Sequence, residues 1–222
     1  MNGPAAGLLP ADDDLELIHT RTYETKVYLV ADDEVLVRGA VSDMKPAGLY
    51  VADDPDPLEI HQMQVELHVR LTDMVITESK VGFESHPTEA CPTITAHYES
   101  LVGLSISRGF THKVRELFGG PRGCTHTTAL LQAMAPAVVQ SVWSVGVRRS
   151  RAAGQAPGAP DEPGRQARFA GNLNTCHVWA EDGEHVAALR AGETPLPPLQ
   201  VRRRLAALGR EEGEWRGERS PG

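Results

Sequence analysis

The chain has 222 residues, a net charge of −8 at neutral pH, 41% hydrophobic residues and only 5% aromatic ones. This apolar content is enough to bury a core, so the chain is not wholly disordered. The excess of Asp and Glu over Lys and Arg, 30 against 22, excludes broad nucleic-acid binding through phosphate neutralisation.

No apolar run approaches the roughly 20 residues of a membrane helix, so no membrane partner is expected. Cys91, Cys124 and Cys176 are odd in number and widely spaced. They exclude a disulfide framework and point to a reducing, cytoplasmic compartment. Met1 to Asp14 is small and acidic, with no basic or apolar signal region, and reads as a flexible leader. Residues 1–60 carry 13 acidic and 4 basic side chains, whereas 148–222 carry 10 and 12.

Thr22 to Val30 and Val35 to Asp43 flank an acidic turn and predict a hairpin. From Gln62 to Leu71, apolar Met63, Val65, Leu67, Val69 and Leu71 alternate with polar residues. That period of two is a strand with one wet face. Thr72 and Asp73 make a turn, and Met74 to Phe83 returns. The front half is therefore an antiparallel meander.

The period then changes. Pro92 suits the first position of a helix, with Ile94, Tyr98, Leu101 and Val102 on one face and Gly103 as its stop. A second helix is predicted over Thr111 to Phe118, with Val114, Leu117 and Phe118 inward. A third begins near Thr125, with Leu130, Leu131, Met134, Val138, Val142 and Val145 at helical spacing, and Pro136 is expected to kink it. Strands first and helices after define an α+β fold, one meander sheet with helices packed on one face. The domain is expected over 15–148, a Pro- and Gly-rich linker or loop over 149–168, a short block packing back on the domain over 169–189, and a disordered tail over 190–222.

The cysteines and histidines carry the candidate chemistry. Cys91 and Cys124 fall at helix starts, where unpaired N–H groups and the helix dipole favour the thiolate. His86 precedes Cys91, His126 follows Cys124, and His177 adjoins Cys176. The reading preferred is a metal site drawn from Cys91, Cys124, His126, Cys176 and His177, holding zinc or an iron–sulfur unit. The pairs lack C-x-x-C spacing, and buried cysteines that only pack are common. The enzymatic alternative uses Cys124 as nucleophile or His126 as acid–base. A ring two residues along a helix start is not expected to aim at Cys124, so the base is expected from elsewhere, such as His177. A third reading is a binding module in which Arg122 and Gly123, in the turn before a helix start, hold a small anionic metabolite, or in which another protein is the partner. His19, His61, His68, His97, His112 and His185 carry no such pattern.

The blocks Val81-Gly82-Phe83-Glu84-Ser85-His86-Pro87 through Cys91, Leu101-Val102-Gly103, Gly109-Phe110-Thr111, Gly119-Gly120-Pro121-Arg122-Gly123-Cys124-Thr125-His126 and Asn174-Thr175-Cys176-His177 resemble a bacterial family known as domain of unknown function 2889. The resemblance spans roughly Leu17 to Leu189. It implies a common fold and no named reaction. More distantly, a small antiparallel sheet followed by cysteines that open helices is similar to the U-type iron–sulfur assembly scaffolds. Those carry a further cysteine before the sheet, where Asp53 to Glu59 has none, and a histidine directly before the last cysteine.

Overall fold

The computed structural model describes residues 9, 14–157, 165–193 and 196–217. Most of the expected leader, and residues 158–164 of the expected linker, lie outside the described residues.

Four strands form one sheet in the order β1-β2-β3-β4: β1 Thr20–Ala31, β2 Glu34–Lys45, β3 Leu58–Arg70 and β4 Val75–Ser85. All neighbours are antiparallel, so the meander read from the sequence is the fold. The alternation sets the faces. Val35, Val37 and Val41 of β2 and Met63, Val65, Leu67 and Val69 of β3 point the same way and are buried. Their even-numbered neighbours make the opposite, polar face.

Cys91–Leu101 folds as 3-10 turns rather than the expected α-helix. In 3-10 geometry residues three apart eclipse, and Tyr98 and Leu101 share the buried stripe. The helix ends before Val102, which is therefore exposed rather than inward. α1, Phe110–Phe118, buries Phe110, Val114 and Phe118 at intervals of four. Tyr98 stacks on Phe118 with ring centroids 4.5 Å apart.

α2 runs from Thr125 to Ala152, and Pro136 lies inside it without ending it. By length and composition alone this helix is long and apolar enough to cross a membrane. Leu130, Leu131, Met134 and Val138 of its first half are fully buried. The approach to the sheet is close at Gly39 of β2. A Cβ there would lie 2.5 Å from Met134 Sδ, so the absence of a side chain lets the helix settle on the strands.

The chain divides into two compact units, Met1–Val138 and Val139–Gly222. α2 carries helix past residue 149, where the linker was expected to start. The second unit holds the rest of α2, then α3 Arg165–Asn172, a 3-10 turn His177–Trp179, α4 Glu184–Arg190, α5 Leu199–Ala207 and a 3-10 turn Glu212–Arg216. Within it Trp179 meets Phe169 and His185 edge-on, at 5.9 and 5.0 Å. The stretch 190–222, read from sequence as a disordered tail, thus contains α5 and a final turn.

A buried carboxylate among histidines

Asp43 lies near the end of β2, two residues after Val41 and on the same face, so its side chain enters the core; it is 2% exposed. An isolated carboxylate is costly to bury. Its partners come from the register. Asp43 is directly opposite Arg21 of β1 and His61 of β3, so three strands present one polar row at the end of the apolar face. Arg21 donates Nε to Oδ1 and Nη2 to Oδ2, both at 2.6 Å. His61 Nδ1 lies 3.1 Å from Oδ2. His19 Nε2, just ahead of β1, lies 3.4 Å from Oδ1, and its Nδ1 meets Lys45 Nζ at 3.1 Å.

The helix side supplies the fourth neighbour. Cys124 caps α2: its carbonyl accepts the Thr128 N–H at 2.9 Å, and its own N–H donates to the buried Tyr98 hydroxyl at 2.8 Å. This anchor sets the first turn of α2 over the polar row. His126 then reaches down, with Nε2 at 3.1 Å from Asp43 Oδ2. Its ring stacks on His61 with centroids 4.0 Å apart.

The electrostatics follow. The Arg21 hydrogen bonds hold the Asp43 carboxyl down at about 2 despite its burial, with His126 and His19 adding a smaller push. Asp43 in turn raises the Arg21 guanidinium further above its ordinary value. Burial, with His61 and Arg21 nearby, lowers the His126 imidazole below its ordinary value, against the smaller opposing pull of Asp43.

Asp43, His61 and His126 each offer one ligand atom, and the three atoms lie within 4.8 Å of one another. Donors bound to one zinc ion at about 2.0–2.2 Å lie about 3.3 Å apart when tetrahedral, which is close to the 3.1 Å separations from Oδ2. A carboxylate oxygen has two lone pairs. Arg21 already donates to Oδ2, so N–H groups from both histidines would exceed what it can accept. Imidazole lone pairs turned toward a shared cation would remove that excess.

Among the candidates read from sequence, His126 belongs to this set and Cys124 adjoins it. Cys124 Sγ lies 3.7 Å from His126 Nδ1, so the ring does aim at the sulfur two residues away. The expectation that it would not is corrected: the helix start turns both side chains to one side. Cys91 is half-buried, with its Sγ 3.0 Å from Thr88 Oγ1. Cys176 is exposed in the second unit, directly before the turn that His177 opens. No cysteine is part of the ligand set found among the described residues. Arg122 donates to the carbonyls of Glu116 at 2.9 Å and Arg115 at 3.2 Å. Its guanidinium therefore satisfies the end of α1. Beside it, a Cβ on Gly123 would meet the Phe118 carbonyl at 2.6 Å, so this residue serves a close backbone approach.

Arg21, Asp43, His61 and His19 were missed by reasoning that searched around cysteines and helix starts. The signal was strand parity: Asp43 shares the inward parity of Val35, Val37 and Val41, and His61 that of Met63 and Val65. A family model described as protein of unknown function (DUF2889) matches residues 19–140, a span that holds the whole polar row and His126. No curated protein and no solved structure matches the chain.

Proposed function

The chain belongs to the DUF2889 family, whose description names no activity, and on that premise we propose that the protein binds one divalent metal ion, zinc first among candidates, through Asp43, His61 and His126. The observation that carries the reading is the convergence of two imidazole nitrogens on one oxygen of a buried carboxylate that is already held by Arg21. Imidazole and carboxylate together suit zinc and its neighbours. Three protein donors are the number typical of a catalytic zinc site. A bound ion would supply Lewis acidity and a water activated near neutral pH.

The residues around the donors have defined tasks. Arg21 fixes the orientation of the carboxylate and keeps it ionised. Tyr98 holds the Cys124 backbone, and so the turn that carries His126. Cys124 Sγ faces the far nitrogen of His126; a proton kept on Nδ1 leaves the Nε2 lone pair directed at the donors.

The test is zinc titration of the full, chelator-treated chain by calorimetry. One equivalent bound, with loss of binding in Asp43→Asn and His126→Gln, supports the reading. Less than about a tenth of an equivalent at concentrations far above a structural-site Kd overturns it.

The other tautomer favours a second reading. With its proton on Nε2, His126 donates to Asp43 and accepts from the Cys124 thiol, which makes a thiol–imidazole–carboxylate series. The 3.7 Å sulfur contact supports it. Fast alkylation of Cys124 in the metal-free chain, slowed strongly by His126→Gln, is its expected signature. An alkylation rate equal to that of a free thiol peptide removes it.

A further inference from the structure

The two edges of the sheet differ. The start of β4 is covered: Ile76 N–H donates to the Leu104 carbonyl, Gly103 N–H to the Ile76 carbonyl and Ile106 N–H to the Met74 carbonyl, at 2.8–2.9 Å. β1 pairs with β2 on one side, and no strand among the described residues pairs with its other side. It is 12 residues long, contains no proline, and has a register shift only at its end, between Leu29 and Ala31. None of its residues is fully buried; Tyr23, Tyr28 and Val30 are 41, 42 and 48% exposed. A long, unpaired, partly apolar edge is a template for another strand.

We infer that this edge pairs with the β1 edge of a second copy of the chain, antiparallel about Thr25, to make a continuous eight-stranded sheet. The register follows from the side chains. A two-fold axis normal to the sheet keeps each face with its own kind, so facing residues share parity. Centred on Thr25, Glu24 faces Lys26 of the partner subunit, twice by symmetry. Tyr23 faces the partner's Val27 on the inward side, and Thr22 faces the partner's Tyr28 on the outer side. Aromatic–aliphatic and opposite-charge pairs of this kind stabilise antiparallel strands. Centred one residue later, Lys26 would face its own copy and repel it. Lys26 and Glu24 now pair within one chain at 2.6 Å, with about 60% of each side chain exposed, so both are available to exchange partners.

The test is light scattering behind size-exclusion chromatography on the full chain, from about 5 to 200 µM. A dimer is expected, with its Kd raised about tenfold in Glu24→Lys and in Lys26→Glu and restored in the double exchange. Both positions are solvated, and far-UV circular dichroism of each variant is expected to match the parent chain. A monomer throughout overturns the inference and leaves the edge to an extended segment of some other protein. A dimer indifferent to both single exchanges also overturns it, because the contact would then lie elsewhere.

Discussion

Arg21 and Asp43 face one another across β1 and β2, and the guanidinium holds both carboxylate oxygens at 2.6 Å. The pair is asymmetric: Asp43 is buried, whereas 38% of the Arg21 side chain is exposed. Removing the arginine leaves a desolvated carboxylate with imidazoles alone. Arg21→Met is expected to destabilise the chain by about 1–3 kcal/mol in urea unfolding. In an Asp43→Asn background the same substitution is expected to cost less than half as much. Equal costs in both backgrounds would mean that the two residues do not interact.

Acid acts at two points. The folded Asp43 carboxyl is held at about 2, below its ordinary 3.8. Its contribution, on the order of 2 kcal/mol, is present in full above the unfolded pKa and is lost as pH falls through about 2. His126 is lowered below 6.5, mainly by burial. Its share is present above pH 6.5 and declines as pH drops beneath that value, because the unfolded chain takes up the proton first. In the metal-free chain, unfolding free energy is expected to fall from pH 7 toward 5, with this slope reduced in His126→Gln. The loss below pH 4 is expected to shrink in Asp43→Asn.

Zinc titration is expected to distinguish His126 from His19. His126 and His61 approach Oδ2, whereas His19 approaches the other oxygen at 3.4 Å. His126→Ala and His61→Ala are expected to weaken zinc binding at least a hundredfold, and His19→Ala by less than tenfold. A His19 effect as large as the other two would place the ion on the opposite side of the carboxylate.

Tyr98 acts at one remove from the donors. Its buried hydroxyl accepts the Cys124 N–H at 2.8 Å. Tyr98→Phe is expected to destabilise the fold by about 1–2 kcal/mol. It is also expected to reduce zinc affinity severalfold, since the turn carrying His126 loses its anchor. Unchanged affinity in the folded variant would show that α2 is held by other contacts.

Gly39 and Met134 are coupled by the 2.5 Å approach that a Cβ would make. Gly39→Ala is expected to cost about 1–3 kcal/mol, as overpacking does. Adding Met134→Ala is expected to recover part of that cost, so that the double variant is more stable than the sum of the singles predicts. Simple additivity in thermal unfolding would show that the methionine moves aside freely.

Much of the fold was legible before any coordinates. The alternation from Met63 to Leu71 names its own strand and face, and the apolar spacing from Leu130 to Val138 names α2. Local pattern could not supply pairing. Asp43 and His61 are 18 positions apart, and only the register of β2 against β3 makes them neighbours. His126 joins them because the first turn of α2 meets Asp43 near the end of β2, a tertiary fact that no helical period contains. The 3-10 form of Cys91–Leu101 was likewise hidden, since Tyr98 and Leu101 are three apart and fit either kind of helix. A polar residue at an inward-facing strand position was the readable clue, and Arg21, Asp43 and His61 each supply one.

The alignment of Arg21, Asp43 and His61 on a single rung limits where this chain tolerates a change in length. One extra residue between Val35 and Asp43 turns Asp43 to the other side and ejects it from the rung, and one between His61 and Val69 sets His61 and the apolar run that follows it on opposite faces. The connection from Pro46 to Pro57 lies beyond the rung and carries no such penalty. Insertions and deletions should therefore be accommodated there and rejected within the ladder.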